Sequence, residues 1–259
     1  MSHLGDAVRL SVGTFSAVPV PPPRHVDRPT AGVAVSLAPL AVLPVGLLVA
    51  AVAWGARELG LASVAIGALA VGVGAWSTRG FHLDGLADTA DALASSYDRD
   101  RALAVARTGD VGPAGAATLV LVLLVQAAAA GTVATRWDLG PAAVGVLWCL
   151  ARAAATVGLR PGVPAARQDG MGATFAGSVP LPALAIVWLL AAAVAAAATT
   201  LTGADAAQGV VTVGAALLVT LGLVSHASRR LGGIIGDAVG ASIEVALAVL
   251  LIGFSAVIA

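Results

Sequence analysis

The sequence predicts an all-α protein, a polytopic membrane helical bundle of about seven transmembrane spans, and three observations lead there. Of 259 residues 59% are hydrophobic and only 11% charged, whereas roughly a quarter of an average globular chain is charged. The apolar residues gather into seven runs near the ~20 residues that cross a hydrocarbon core, at about 33–54, 59–76, 114–134, 140–158, 180–201, 207–225 and 239–258. The arginines divide between the connecting segments as a membrane topology requires.

Residues 1–30 do not read as a cleavable signal, because the apolar run from Leu10 to Val20 is broken by Gly13, Thr14 and Pro19 and followed by Pro21, Pro22 and Pro23. The first apolar run would therefore insert itself. The second and fourth runs are short and rich in Gly and Ala, which suits tight helix contact; if one of these Ala-rich runs is re-entrant, six spans remain. The third, fifth, sixth and seventh runs are long enough to cross alone. Cys149 lies within the fourth run and reads as a small buried hydrophobe.

With a cytoplasmic N-terminus, the odd spans run outward and the even ones return. Arg9, Arg24, Arg28, Arg79, Arg99, Arg101, Arg107, Arg160, Arg167, Arg229 and Arg230 then face the cytoplasm, Arg57 and Arg136 lie outside, and Arg152 sits within a span. That bias sets the expected orientation in a cell (inner) membrane. No repeat or domain boundary is evident, so residues 1–259 are taken as one membrane domain whose polar motif segment, 77–113, is cytoplasmic. The formal net charge is zero, which argues against nucleic acid as a partner. The lipid bilayer is the expected surrounding, and a homo-oligomer is left open.

Two clusters carry the chemistry. In Arg79-Gly80-Phe81-His82-Leu83-Asp84-Gly85-Leu86-Ala87-Asp88-Thr89-Ala90-Asp91 the three aspartates stand at i, i+4 and i+7, within about 60° of one another on a helix. Carboxylates on one stripe repel, and Mg²⁺, which takes hard oxygen ligands and bridges them to substrate phosphates, would relieve them. The second cluster runs from Arg229 and Arg230 through Gly232, Gly233, Gly236, Asp237 and Gly240 to Glu244. Its acids, Asp237 and Glu244 at i and i+7, again stand on one face, and a glutamate inside an apolar span is functional by default. The arginine distribution, made without reference to the acids, puts both clusters on one membrane face, where paired metal ions could clamp a diphosphate. The metal candidates are Asp84, Asp88, Asp91, Asp237 and Glu244. The catalytic candidates are Asp84, Asp88 and His82, the last as a proton carrier. Arg107, Asp110, Arg152, Arg229, Gly232 and Gly233 are the substrate-binding candidates, and the polar loop Arg167-Gln168-Asp169-Gly170-Met171-Gly172 either binds phosphate or anchors a helix end.

At these motifs the chain resembles the adenosylcobinamide-GDP ribazoletransferases, the cobalamin synthases. Residues 80–91 are similar to the family's Gly-Phe/Leu-His-Leu-Asp-Gly-Leu-Ala-Asp-Thr-x-Asp string, Leu231 to Glu244 to its second motif, and Thr14 to Pro21 to its opening. Ala92 stands where the family commonly has glycine, and Arg107-Thr108-Gly109-Asp110-Val111-Gly112 departs from its Arg/Lys-Asp-Ser/Pro-Arg-x-Gly. The resemblance implies a Mg²⁺-dependent transfer. A hydroxyl of α-ribazole, or of its 5′-phosphate, attacks the cobinamide-linked phosphorus of adenosylcobinamide-GDP, releasing GMP and giving adenosylcobalamin or its 5′-phosphate. Two other functions share part of this pattern. A CDP-alcohol phosphotransferase of phospholipid synthesis shares aspartates at helix ends, but its motif begins Asp-Gly-x-x-Ala-Arg, and here Asp88-Thr89 stands in place of the Ala-Arg pair. A cation transporter would place its acids near the midplane rather than at one edge.

Overall fold

Prolines decide how the first apolar run folds. The computed structural model describes residues 3–95, 97–167 and 171–256. In it α1 (His3–Phe15) is followed by α2 (Arg28–Ser36), α3 (Ala38–Ala41) and α4 (Leu43–Glu58), where the continuous span 33–54 was expected. Pro29, Pro39 and Pro44 each occupy the first or second position of one of these helices, where the missing N–H costs nothing. The same missing donor ends the preceding helix. Asp27 caps α2 by accepting from the Thr30 N–H at 2.8 Å. α4 alone is about 24 Å long, short of the ~30 Å core.

The second run shortens too: α5 (Ser63–Trp76) has 14 residues and then bends by 93° into α6 (Phe81–Ser95). The turn runs through Arg79 at φ 57° and Gly80 at φ 68°. An arginine rarely takes this left-handed conformation, so the bend is held by more than local preference. After α7 (Arg99–Val105) come α8 (Pro113–Arg136), α9 (Gly140–Leu150), a short 3₁₀ turn and α10 (Ala154–Gly158), then α11 (Met171–Phe175), α12 (Leu181–Leu201), α13 (Ala206–Leu231) and α14 (Gly236–Ser255). No strand occurs among the described residues, only a single parallel bridge between Ala165 and Ile234. Gln168, Asp169 and Gly170 of the expected polar loop lie outside the described residues.

Among the described residues five stretches are long and apolar enough to cross a membrane: α8, residues 140–158, α12, α13 and α14; a sixth exists if α5 and α6 are one broken span. Small residues let these helices touch. A Cβ on Gly46 would strike the Gly145 carbonyl of α9, and one on Gly67 would strike the α8 backbone at Ala127. Packing of this kind, backbone against backbone, is how helices associate where lipid removes the hydrophobic drive. Cys149 is buried against the Val42 carbonyl, as its apolar run led us to expect.

The chain shuttles between two ends of the bundle. Ser77 accepts from the Ala17 N–H and Asp91 from Gly112, which gathers residues 17, 77–91 and 112 at one end. At the other end Arg57 donates to the carbonyls of Trp137 and Asp138, Arg136 to those of Ser255 and Ala256, and Gln208 to Gly253. Arg57 and Arg136 thus share the end remote from the motif segment, as the arginine count predicts.

Candidate functional site

The site forms where α6 crosses the start of α14, and two glycines set the approach. A Cβ added to Gly85 would lie 2.7 Å from the Asp237 carbonyl oxygen, and one on Gly240 would lie 3.3 Å from the His82 Cα. Only hydrogen at these positions lets the helices come this close. The crossing brings the two sequence motifs, about 150 residues apart, onto one end of the bundle.

Asp84 is exposed and Asp88 and Asp237 are half-buried. Asp237 feels the charges of both Asp88 and Asp84, and also that of Arg167. The helix N-terminus at Gly236 supplies a positive dipole end beside them. This is a half-open trio of mutually repelling carboxylates, offset in part at Asp237 by Arg167. Among the described residues no three His, Cys, Asp or Glu side chains already close around a point to hold an ion. The donor chemistry nonetheless fits a hard divalent cation that keeps part of its water and takes phosphate oxygens.

Asp91 is engaged by another helix. Its carboxylate accepts from the N–H of Gly112 at 2.7 Å and of Gly115 at 2.9 Å. Gly112 is the N-cap of α8 and has no side chain to satisfy those donors. Asp91, from the neighbouring helix, supplies the cap in its place, and a Cβ on either glycine would collide with it. Asp91→Ala is expected to lower stability by about 1–3 kcal/mol, read as a fall in the thermal midpoint in detergent. An unchanged midpoint would show that the cap carries no energy.

Glu244 lies deeper and is 6% exposed. It accepts from the Gln126 amide at 2.9 Å, the same amide donates to its backbone carbonyl at 3.0 Å, and His82 Nδ1 stands 4.0 Å from its carboxylate. Arg152 acts on it electrostatically. Arg152 is 1% exposed, stacks on Trp148 at 3.2 Å and donates to the Trp148 carbonyl at 2.6 Å. Gln126, Trp148, Arg152 and Glu244 line a cavity of about 10 Å³, the size of a single water. His82 is 2% exposed, wedged beside Phe15 and Phe81. Glu244, Arg152 and His82 therefore form a buried polar network beneath the carboxylate trio.

The remaining candidates have other surroundings. Arg107 lines a hollow with Arg99 and Arg167. Asp110 is exposed in the loop before α8. Arg229 donates to Ser225 and lines a separate cleft with Arg160. Gly232, at φ 72°, ends α13 in the left-handed conformation that favours glycine, and Gly233 lies against the backbone of Pro164 to Ala166. Sequence reasoning missed Gln126, a lone amide in the third apolar run, whose signal was its polarity within hydrocarbon. It also missed Arg99, which counts in the sequence only towards the orientation, and whose guanidinium lies where a Gly232 Cβ would be.

A family model described as cobalamin-5-phosphate synthase matches residues 7–255. Among curated relatives, an adenosylcobinamide-GDP ribazoletransferase of Nocardioides is 46% identical over 97% of this chain and 99% of its own length. Those of Frankia casuarinae and Sinorhizobium medicae are 35% and 32% identical, covering 94% and 92% of this chain and 92% and 91% of their own. No solved structure matches the chain.

Proposed function

The chain belongs to the cobalamin-5-phosphate synthase family, and from that premise we propose that it is an adenosylcobinamide-GDP ribazoletransferase. In this reading a hydroxyl of α-ribazole or of its 5′-phosphate attacks the cobinamide-linked phosphorus, the bond to GMP breaks, and adenosylcobalamin or its 5′-phosphate forms. The observation that carries it is the crossing of α6 and α14 at Gly85 and Gly240, which brings Asp84, Asp88 and Asp237 within reach of one another's charge.

Phosphoryl transfer asks chiefly for positioning and for neutralised charge. Asp84, Asp88 and Asp237 would hold Mg²⁺, whose charge offsets that of the diphosphate. The half-open setting leaves the trio reachable from the aqueous end of the bundle. One of these carboxylates would take the incoming hydroxyl's proton, since they are more accessible than the buried His82 and Glu244. His82, 2% exposed and facing Glu244, is better placed to fix the crossing than to reach substrate. Asp91 and Glu244 act as positioning groups, each engaged by the partners described above.

The topology is part of the same reading. The broken α2–α4 run and α5 supply two crossings beyond the five long stretches, seven in all. The N-terminus and the carboxylate trio face the cytoplasm of a cell whose inner membrane holds the chain. The arginine-rich end of the bundle supports that orientation.

Purified protein given adenosylcobinamide-GDP and α-ribazole or its 5′-phosphate is expected to release GMP when Mg²⁺ is present. A chelator is expected to stop release, and added Mg²⁺ to restore it. Release that persists at full rate after exhaustive chelation would refute the metal assignment. CMP formation from CDP-diacylglycerol and an alcohol, without GMP release, would refute the transferase assignment.

A further inference from the structure

Arg160 and Arg229, from separate spans, meet across a hollow of about 280 Å³ lined also by Pro164, Val224, Ser225 and Ser228. None of the carboxylate trio lines it. Its depth follows from the spans that carry it. The apolar run 140–158 ends two residues before Arg160, and the run 207–225 ends four before Arg229. α13 has 26 residues, about 39 Å of helix against a ~30 Å hydrocarbon core. Gln208 holds its start at the remote end by donating to Gly253, so the surplus emerges at the Arg229 end, among the lipid headgroups.

Both arginines stand at helix C-termini, where cations are favoured, and that accounts for one bond of each. Arg160 donates to the Val157 carbonyl at 2.5 Å, and Arg229 to the Ser225 hydroxyl at 2.6 Å. It does not account for the rest. A guanidinium carries five N–H donors, and among the described residues neither arginine has an acid within ion-pair distance. Ser228, on the wall between them, has its Oγ buried without a hydrogen bond among the described residues. A buried hydroxyl left so is costly; Ser242 of α14, by contrast, donates to the carbonyl four residues back. Towards the bilayer, Arg229, Ser225, Gly222 and Leu218 follow one another at helical spacing on one face of α13. Gly222 is exposed and Leu218 is 70% exposed. Two cations and a hydroxyl at headgroup depth, above an open apolar stripe, have the outline of a phospholipid. Guanidinium forks match phosphate oxygens, and basic pockets between membrane helices take anionic headgroups. A soluble phosphate would leave the stripe below unused.

We infer that the hollow between Arg160 and Arg229 binds an anionic phospholipid of the leaflet at the motif end of the bundle. The lipid phosphate takes both guanidiniums and the Ser228 hydroxyl, and an acyl chain lies along Gly222 and Leu218. Arg229 then serves a lipid rather than a substrate. The site stands apart from the transferase reading, and either can fail without the other.

The test is the melting midpoint of the full-length, detergent-purified chain in mixed micelles with phosphatidylglycerol or phosphatidylcholine. Near saturation, phosphatidylglycerol is expected to raise the wild-type midpoint on the order of 5 °C more than phosphatidylcholine does. Arg160→Gln and Arg229→Gln are each expected to lose most of that excess, and Arg229→Lys to recover part of it. Gly222→Leu is expected to lose it too: a Cβ there meets nothing within 4 Å, so the fold accepts the side chain while the acyl path is filled. Arg101→Gln removes an exposed cation that does not line the hollow and is expected to keep the excess. Should Arg160→Gln fail to fold, Arg229→Gln, exposed at the surface, and Gly222→Leu decide. No excess in the wild type overturns the site, and so does an excess undiminished in both Gln variants of the hollow. An equal loss in Arg101→Gln reduces the effect to diffuse charge attraction and overturns it as well. Inorganic phosphate or GMP that reproduces the rise and cancels the lipid's assigns the hollow to a soluble phosphate, and the lipid site falls.

Discussion

Asp84→Asn, Asp88→Asn and Asp237→Asn are each expected to cut GMP release on the order of 10²–10³-fold, the loss that follows removal of one preorganised electrostatic group from a reaction centre. None should weaken the fold. Asp84 is exposed, Asp88 and Asp237 are half-buried, and all three repel neighbours of like charge, so removing one negative charge relieves strain in the empty protein. The pairing of lost turnover with an unchanged or raised thermal midpoint is the signature of a group kept for chemistry rather than for folding. Raising Mg²⁺ should rescue the variants partially, because a weakened cation site fills again at higher concentration. The measurement is initial-rate GMP release alongside a melting curve for each variant. Near wild-type rates in all three would remove the carboxylate trio from the mechanism.

What the sequence told in advance, and what it did not, follows from the range of the interactions involved. Helix spacing alone put Asp84 and Asp88 on one face, and the arginine bias put the 84–91 and 237–244 segments at one end of the bundle. The two segments do pack together, through Gly85 and Gly240. Periodicity also groups Asp91 with Asp84 and Asp88, because a helical wheel knows only its own helix. The approach of α8 diverts Asp91 to the N–H groups of Gly112 and Gly115, and nothing local to residues 84–91 announces that partner. The reading of 33–54 as one span passed over Pro39 and Pro44, which sit inside an apolar window yet restart the helix. A count of apolar residues cannot register that break. Likewise Arg152 reads from sequence as an intramembrane charge and a substrate-binding candidate, while in the fold it has Trp148 to stack on and Glu244 to balance.

That buried balance carries the largest expected effect on stability. Among the described residues Glu244 is the acid that acts on the Arg152 guanidinium, 1% exposed; Glu244→Gln takes that charge away, and Arg152→Met takes away the cation that acts on Glu244. Stranding one member of a buried pair of charges costs about 3–5 kcal/mol. For a chain of this size that is a drop in the melting midpoint on the order of 10 °C. Removing both charges together strands neither, so Glu244→Gln combined with Arg152→Met should melt well above either single variant, a non-additivity that only coupled groups display. The double variant also separates two roles for Glu244. If Glu244 is a counter-charge held by Gln126 and facing His82, the double variant keeps GMP release within about tenfold of wild type, because the crossing that positions Asp84, Asp88 and Asp237 is restored. If Glu244 instead binds the metal, the double variant folds and stays inactive, since no repair of the interior replaces a lost ligand. Strictly additive midpoints would show that Glu244 and Arg152 do not sense each other at all, and the network beneath the site would dissolve into separate buried residues.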